Sequence, residues 1–158
     1  MYLVFATKAT LLRQVIQLAM QGDEAPTPLS DRPEWRMLLA GPTDEVFDRF
    51  AARNAAVMTR TAAIIALGEA AASTDPELAT YRDQARAATR ANLLALAVEL
   101  HRRGVLGPGI SEQQAADTMY ALATDESVYL RLTGECHWTP GRYADLIART
   151  LTATLGTT

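Results

Sequence analysis

Apolar residues recur along this chain at intervals of three and four positions, and short polar, glycine- or proline-containing stretches separate the runs. That interval predicts amphipathic helices, and no segment shows the two-residue alternation of a half-buried strand. Capping residues mark several helix starts: Asp75 stands before Pro76, and Ser111 and Thr139 each precede an apolar run. The fold is therefore predicted to be all-α. The predicted helices cover 7–20, 34–40, about 44–72 with Thr43 as N-cap, 76–102, 112–123, 128–132 and 140 to about 154, with a loop over 22–33.

The two longest predicted helices each carry one continuous face that is expected to point inward. On the first helix, this face contains Asn54 and Thr61 among apolar side chains. The second helix ends at Arg102–Arg103, with Gly104 as its cap. Its predicted inward positions are Leu78, Tyr81, Ala85, Ala88, Asn92, Leu96 and Leu100.

Composition narrows the class of protein. The 158 residues suit one domain, and 49% hydrophobic against 21% charged residues is a globular composition. The formal net charge of −3 argues against strong nucleic-acid binding by this chain alone, because neutralising phosphates requires a basic face. Cys136 is the only cysteine, which favours a reducing compartment. Without a signal peptide or an uncharged stretch long enough to cross a bilayer, the chain is expected to be cytoplasmic and free of membranes.

No arrangement of residues predicts catalysis. His101 and His137 are far apart, and Cys136 beside His137 offers only two ligands where a closed zinc site needs four. The sequence contains neither a nucleophile elbow nor a phosphate-binding glycine loop, and residues 107–109 are interpreted as a turn between helices. The chain is therefore expected to have no catalytic residue, no metal site and no cofactor, and not to be an enzyme.

The first informative group of residues lies at the start of the chain. Tyr2 and Phe5 are followed by Lys8 and then by Leu11 and Leu12 on the next predicted helix. This arrangement resembles the junction in TetR-family regulators where the recognition helix of the helix-turn-helix ends. The resemblance implies that Tyr2 and Lys8 contact DNA phosphates, and a helix N-terminus near Lys8 also attracts phosphate. The alternative is that Tyr2 and Phe5 are ordinary apolar anchors and that Lys8 is a solvated charge.

The other end of the chain carries a second resemblance. The run from Trp138 through Tyr143 to Leu151 resembles the opening of the final helix in one large branch of the TetR family. The stretch Ala115–Leu132 resembles the penultimate helix of that branch. With fitting helices between these two matches, the resemblance covers essentially the whole chain.

The resemblance implies a TetR-type C-terminal helical bundle, in which residues 1–8 are a remnant of the helix-turn-helix and residues 9–158 form the ligand-binding and dimerisation domain. In the family, the last two helices pair with their twins as a four-helix bundle, so a homodimer is expected. A small, largely apolar effector is expected to shift the dimer between two spacings and thereby control binding to a DNA operator, with repression relieved by the ligand.

The first two helices of the family and most of its recognition helix have no counterpart ahead of Met1, and a helix-turn-helix needs both of its helices. Two explanations are open. Either the chain is a body-only protein that binds ligands or forms inactive mixed dimers without binding DNA, or its start was assigned too late. The second is favoured as a hypothesis. Fourteen of the 15 basic residues are arginine, as in GC-rich genes, where a GTG valine codon can be misread as a start.

Polar or adaptable side chains on otherwise apolar helix faces are the candidates for the ligand pocket. A buried asparagine must find partners either in a core network or in a ligand, and methionine fits irregular gaps as readily as a bound molecule. The predicted pocket residues are Phe50, Asn54, Met58, Thr61, Asn92, Met119 and Thr124.

The dimer face is predicted on the outward sides of the last helices, because small and apolar side chains allow close packing against a symmetry mate. The alternative for each of these residues is a place in the core of its own subunit. The predicted face consists of Ala116, Tyr120, Ala123, Leu146, Arg149, Thr150 and Ala153.

Overall fold

The computed structural model describes residues 33–157 together with residues 10, 11, 14 and 15. These four are helical, in agreement with the helix predicted over 7–20, and Leu11 and Val15 are exposed. Tyr2 and Lys8, the proposed boundary between residues 8 and 9, and the predicted loop ahead of Pro33 lie outside the described residues.

Between residues 33 and 157 the chain forms six α-helices and no β-strand, which confirms the predicted all-α fold. A 3-10 turn, Thr43–Glu45, precedes the second helix, and a π-helical turn, Arg131–Glu135, follows the fifth. The helices are α1 (Pro33–Ala40), α2 (Val46–Ala72), α3 (Pro76–Arg102), α4 (Glu112–Ala123), α5 (Glu126–Leu130) and α6 (Pro140–Leu155).

Three helix starts have the caps that the sequence predicts. The side chain of Asp75 accepts hydrogen bonds from two backbone N–H groups of α3, at 2.9 and 3.2 Å. Ser111 and Thr139 each accept one from the first turns of α4 and α6, both at 3.1 Å. These bonds satisfy donors that have no partner inside the helix, so local chemistry alone fixes these starts. At the far end of α3, Gly104 has a φ of 70°, as its predicted role as a cap requires.

The start of α2 differs from the prediction. Thr43 does not cap this helix; it lies in the 3-10 turn, and Glu45 occupies the N-cap position without a side-chain hydrogen bond to the backbone N–H groups of the first turn. The reason lies in Arg49, whose guanidinium bonds the Pro42 carbonyl at 2.6 Å and the Glu45 carboxylate at 3.3 Å. A side chain from the next turn thus holds this segment, and a local capping pattern does not reveal such a contact.

The main core lies where α2 packs against α5 and α6 and where the C-terminal half of α3 packs against α4. Leu38 of α1 closes one end of it. The buried side chains of α2 run from Val46 to Ala62, with Ala72 buried separately near the α2–α3 turn. The largest fully buried side chains are Tyr143, Leu96, Leu100, Met119, Leu151, Leu155 and Thr61.

The middle of α3 is not part of this core. Ala85 and Ala88 are exposed, so the prediction that they face inward is wrong. With 27 residues each, α2 and α3 are far longer than the 16-residue α6, and their far halves extend past the helices that cover them. There an ion pair, Arg86 Nη2 to Glu69 Oε2 at 2.9 Å, joins the two helices.

The segment Thr43–Ala72 is long and apolar enough to cross a membrane by length and composition, with a mean hydropathy of 1.3 in its 18-residue window. Central helices of a bundle pass the same test. Here the first half of α2 supplies core side chains, including Phe47 and Met58.

The end of α6 is tied to the connection between α3 and α4. The backbone N–H of Gly107 donates to Leu155 O at 2.8 Å, and that of Thr157 donates to Val105 O at 3.1 Å. A Cβ at Gly107 would lie 2.8 Å from the carbonyl oxygen of Gly156, so this approach of two backbones requires glycine. The bridge fixes the position of α6 across the bundle.

Candidate ligand and dimerisation site

The motif that opens α6 has a defined local structure. Thr139 caps the helix, Pro140 occupies the first helical position, and the Arg142 guanidinium lies over the Trp138 ring, 4.1 Å from its centroid. These contacts anchor the beginning of α6. They set the point at which Tyr143 enters the core.

Two tyrosines bring polar atoms into the apolar region between α2, α5 and α6. The rings of Tyr143 and Tyr129 meet edge to face, with centroids 4.9 Å apart and an interplanar angle of 85°. The Asn54 amide donates to the Tyr143 hydroxyl at 3.4 Å. The hydroxyls of Tyr129 and Thr59 lie 2.7 Å apart. This group, called the tyrosine cluster below, links the long helix to the last helix.

Burial raises the pKa of the Tyr143 phenol to about 12, from an ordinary value of 10.0. The hydrogen bond from Asn54 acts in the opposite direction, while the charge of Asp125 and the neighbouring Tyr129 add to the rise. The phenol is therefore neutral over the whole physiological range. It serves as a fixed hydrogen-bonding group and not as a charge.

This shift predicts a specific sensitivity to alkali. The folded-state pKa is raised, so the contribution of Tyr143 to stability is complete below pH 10 and is lost as the pH rises through 12. Between pH 10 and 12, the free energy of unfolding of the wild type is expected to fall more steeply than that of Tyr143→Phe. Urea titrations at each pH measure both slopes. Parallel slopes for the two proteins would contradict the prediction.

Three of the predicted pocket residues are buried in the core. Thr61 and Met119 are 0% exposed and Met58 is 4% exposed, so no space of water size borders the first two. Thr61 and Met119 fill the core in this structure, and their place in a ligand pocket stays a prediction. Dense packing of a core leaves few voids as large as a water molecule.

The hydroxyls of Thr61 and Thr124 are also occupied. Each bonds the carbonyl oxygen four residues earlier in its own helix, Val57 O at 2.9 Å and Tyr120 O at 2.8 Å. Among the described residues, no buried side-chain nitrogen or oxygen lacks a hydrogen-bond partner. Asn54, Phe50 and Asn92 are partly buried, and Asn54 is the member of the predicted set that hydrogen-bonds to Tyr143.

An open groove of about 640 Å³ runs along the outer side of α4 instead. None of the seven predicted pocket residues lines it. Five of its seven lining residues are polar, although most of the surface that they turn toward the groove is apolar. The lining residues are Ser111, Gln113, Gln114, Asp117, Thr118, Ala121 and Leu122.

The predicted dimer face divides into two groups. Ala116 is 3% exposed and Ala123 is 0% exposed, so neither has surface to offer a second copy, and their assignment to the dimer face is wrong. Both lie on the side of α4 that also carries Met119 and packs into the core. The other five keep some exposed surface: Tyr120, Leu146 and Thr150 are half-buried, and Arg149 and Ala153 are exposed.

Local contacts already hold several of these surface residues. The Arg90 guanidinium lies 5.8 Å from the centroid of the Tyr120 ring. Arg149 donates to Asp145 O at 3.1 Å, and Thr150 donates to Leu146 O at 2.8 Å. The outward side of α6 is thus a mixed surface of small, apolar and charged groups.

Sequence reasoning singled out Asn54 but did not identify its partner, Tyr143, or the nearby pair of Tyr129 and Thr59. A signal for them exists in principle. A tyrosine on the apolar face of a helix brings a hydroxyl that needs a partner, and Tyr129 and Tyr143 both have this pattern. Which partner each one finds depends on how α5 and α6 cross α2.

Comparison with known proteins adds no relative: no family model, no curated protein and no solved structure matches this chain.

Proposed function

We propose that this chain is the ligand-binding and dimerising body of a TetR-like transcriptional regulator of the cytoplasm, controlled by a small, largely apolar molecule. Two things support the proposal: the resemblance of both chain ends to that family, and the all-α bundle between them. The choice of the ligand site rests on one observation. The partly buried Asn54 of the long helix reaches Tyr143 of the last helix inside an otherwise apolar interior.

The Asn54–Tyr143 contact suits exchange for a ligand. At 3.4 Å it is longer than the usual 2.7–3.2 Å of an N–H···O bond, so a better-placed acceptor can compete for the amide. Phe50 and Met58 lie one turn to either side of Asn54 on α2 and would contact an apolar molecule. The proposed ligand is therefore apolar with one hydrogen-bonding group.

Tyr143 is 0% exposed, so no space of water size borders it, and the ligand has to select a conformation in which α6 lies farther from α2. Such a displacement moves the surface of α6 that carries Leu146, Thr150 and Ala153. In the proposed mechanism, a second copy contacts this surface together with the groove on α4. The ligand thus changes how two copies are held and, through them, how an operator is bound.

Thermal-shift screening of the purified chain against a library of small apolar compounds tests the proposal. Binding to the folded chain alone stabilises it by about 2.7 kcal/mol at a hundredfold excess over Kd, which raises the melting temperature by several degrees. Asn54→Leu is expected to abolish the shift. Thr89→Val, which removes a half-buried polar group from α3 outside the predicted pocket, is the control and is expected to keep it.

Each result bears on a separate part of the proposal. A library without a single stabilising compound contradicts ligand binding, and compounds that stabilise Asn54→Leu as well as the wild type contradict the site. Light scattering is expected to give twice the 17.1 kDa mass of one chain. A solution mass of one chain at micromolar concentration contradicts the dimer.

A further inference from the structure

Among the side chains of α1 that the structure describes, residues 36–40, one large apolar side chain is buried. Leu38 is buried, but Met37 is 63% exposed and Leu39 is half-buried. The helix has eight residues and no basic residue in its own last turn. The last carbonyl oxygens of a helix lack intrahelical partners and lie at the negative end of its dipole, so they need donors from elsewhere.

Two arginines from different helices supply these donors. Arg49, in the first turn of α2, donates from Nε to Leu38 O at 3.0 Å and from Nη2 to Pro42 O at 2.6 Å. Arg103, directly after α3, donates from Nη1 to Leu39 O. The end of α1 is therefore bonded both to the beginning of α2 and to the end of α3.

Carboxylates on the same helices orient both guanidinium groups. Arg103 Nε lies 2.6 Å from Glu99 Oε1, and Arg49 Nη1 lies 3.3 Å from Glu45 Oε2. Hydrogen bonds from Arg102 and then Arg103 lower the pKa of Glu99 to about 2, so this carboxylate stays ionised at neutral pH. Each guanidinium thus bonds a carboxylate close to it in the chain and, with another N–H group, a carbonyl oxygen of α1.

We propose that Arg49 and Arg103 act together as a latch that holds α1 only while the beginning of α2 and the end of α3 keep their present spacing. Hydrogen bonds weaken steeply when distance and angle change, and the guanidinium is a rigid, planar donor. A change in the spacing of the two long helices therefore breaks at least one side of the latch. The C-terminal end of α1 then loses donors for its last carbonyl oxygens and is held less tightly.

The regulatory use of the latch rests on the function proposed above. The chain ahead of α1 contains Tyr2 and Lys8, the residues for which DNA contact is predicted. Loosening of α1 would let a movement of α2 against α3 reach that part of the chain. The latch itself can be tested with neither a ligand nor DNA, so its failure and the failure of the proposed function are distinguishable.

Amide hydrogen exchange, read on peptides that cover Arg36–Gly41, measures the hold on α1. Lysine keeps the positive charge but lacks the planar fork of donors. In Arg49→Lys and in Arg103→Lys, exchange of α1 is expected to rise about tenfold, since a hydrogen bond to a charged group is lost. Arg102→Lys is the matched control: Arg102 also bonds Glu99 but is not bonded to α1, and exchange is expected to stay at the wild-type rate.

If the two arginines act as a unit, the exchange rate of α1 in the double variant, Arg49→Lys with Arg103→Lys, can also be predicted. Each arginine positions the carbonyls that the other binds, so the double variant is expected to exchange more slowly than the product of the two single factors predicts. Strictly multiplicative factors mean two independent contacts and overturn the proposal. Wild-type exchange of α1 in the single variants, or a rise spread evenly over all helices, overturns it as well.

Gly41→Ala tests the latch without changing an arginine. A Cβ at this position would lie 2.5 Å from Arg49 Nη1, so the guanidinium has to move away. Exchange of α1 is expected to rise as in Arg49→Lys. An unchanged rate shows that α1 does not depend on the position of this guanidinium and counts against the latch.

Discussion

Replacing Tyr143 with alanine is expected to lower the free energy of unfolding by about 3–5 kcal/mol, because the change removes a large, fully buried ring from the centre of the bundle. The ring packs edge to face on Tyr129, so the loss includes this contact as well as the cavity. Urea unfolding followed by circular dichroism measures the change. The helical content of the folded variant is expected to remain.

Tyr143→Phe separates the ring from its hydroxyl. It keeps the packing and leaves the Asn54 amide without its acceptor, so a loss of about 1–2 kcal/mol is expected. The phenylalanine variant should therefore lie much closer to the wild type than the alanine variant does. A loss below about 1 kcal/mol in Tyr143→Ala would mean that the ring is not the anchor of α6.

The order and the type of the helices could be predicted from the sequence because their signals are local. Asp75, Ser111 and Thr139 each precede an apolar run, and each caps its helix. Gly104 ends α3 in the left-handed conformation that its place in the sequence predicts. Such signals depend on residues within one turn of the chain and need no knowledge of tertiary contacts.

The errors arise where distant contacts decide. Thr43 has the chemistry of an N-cap, but the guanidinium of Arg49, in the first turn of α2, holds that segment in a 3-10 turn. Ala85 and Ala88 have the right period for a core face, but their stretch of α3 extends past the helices that could cover it. Periodicity tells which residues share a face, not how far the neighbouring helix reaches.

The candidate site shows the same difference between features that local signals predict and features that tertiary contacts decide. Asn54 could be chosen from the sequence, because an amide on an apolar face needs a partner. Ala116 and Ala123 could not be assigned correctly, since small residues suit a dimer contact and a tight core equally well. In the structure they share one buried side of α4 with Met119, and the outward side carries Thr118, Ala121 and Leu122.

The tyrosine cluster and the Arg49–Arg103 latch occupy different levels of α2. Asn54 meets Tyr143 in the first half of the helix, and Arg49 bonds α1 little more than one turn earlier. The same helix therefore contacts α6 on one side and α1 near its start. A movement of α6 that shifts α2 would reach the latch over a distance of about 8 Å along the helix.

Replacing Met119 with alanine is expected to lower the free energy of unfolding by about 2–5 kcal/mol, because its side chain is 0% exposed and packs in the main core. Met37→Ala is the matched control. Its methionine is 63% exposed, so the same chemical change is expected to stay within about 0.5 kcal/mol of the wild type. Urea unfolding of the three proteins measures both differences.

The Met119 variant also tests the filled interior directly. Deleting the side chain from a dry, apolar core leaves a cavity that water does not fill and that small apolar molecules can enter. Benzene is therefore expected to raise the melting temperature of Met119→Ala and to leave that of Met37→Ala unchanged. A loss below about 1 kcal/mol with no response to benzene would mean that the core collapses onto the vacant space. In that case the core around Met119 repacks easily. The space that the proposed ligand needs between α2 and α6 could then form on binding, although no cavity exists there beforehand.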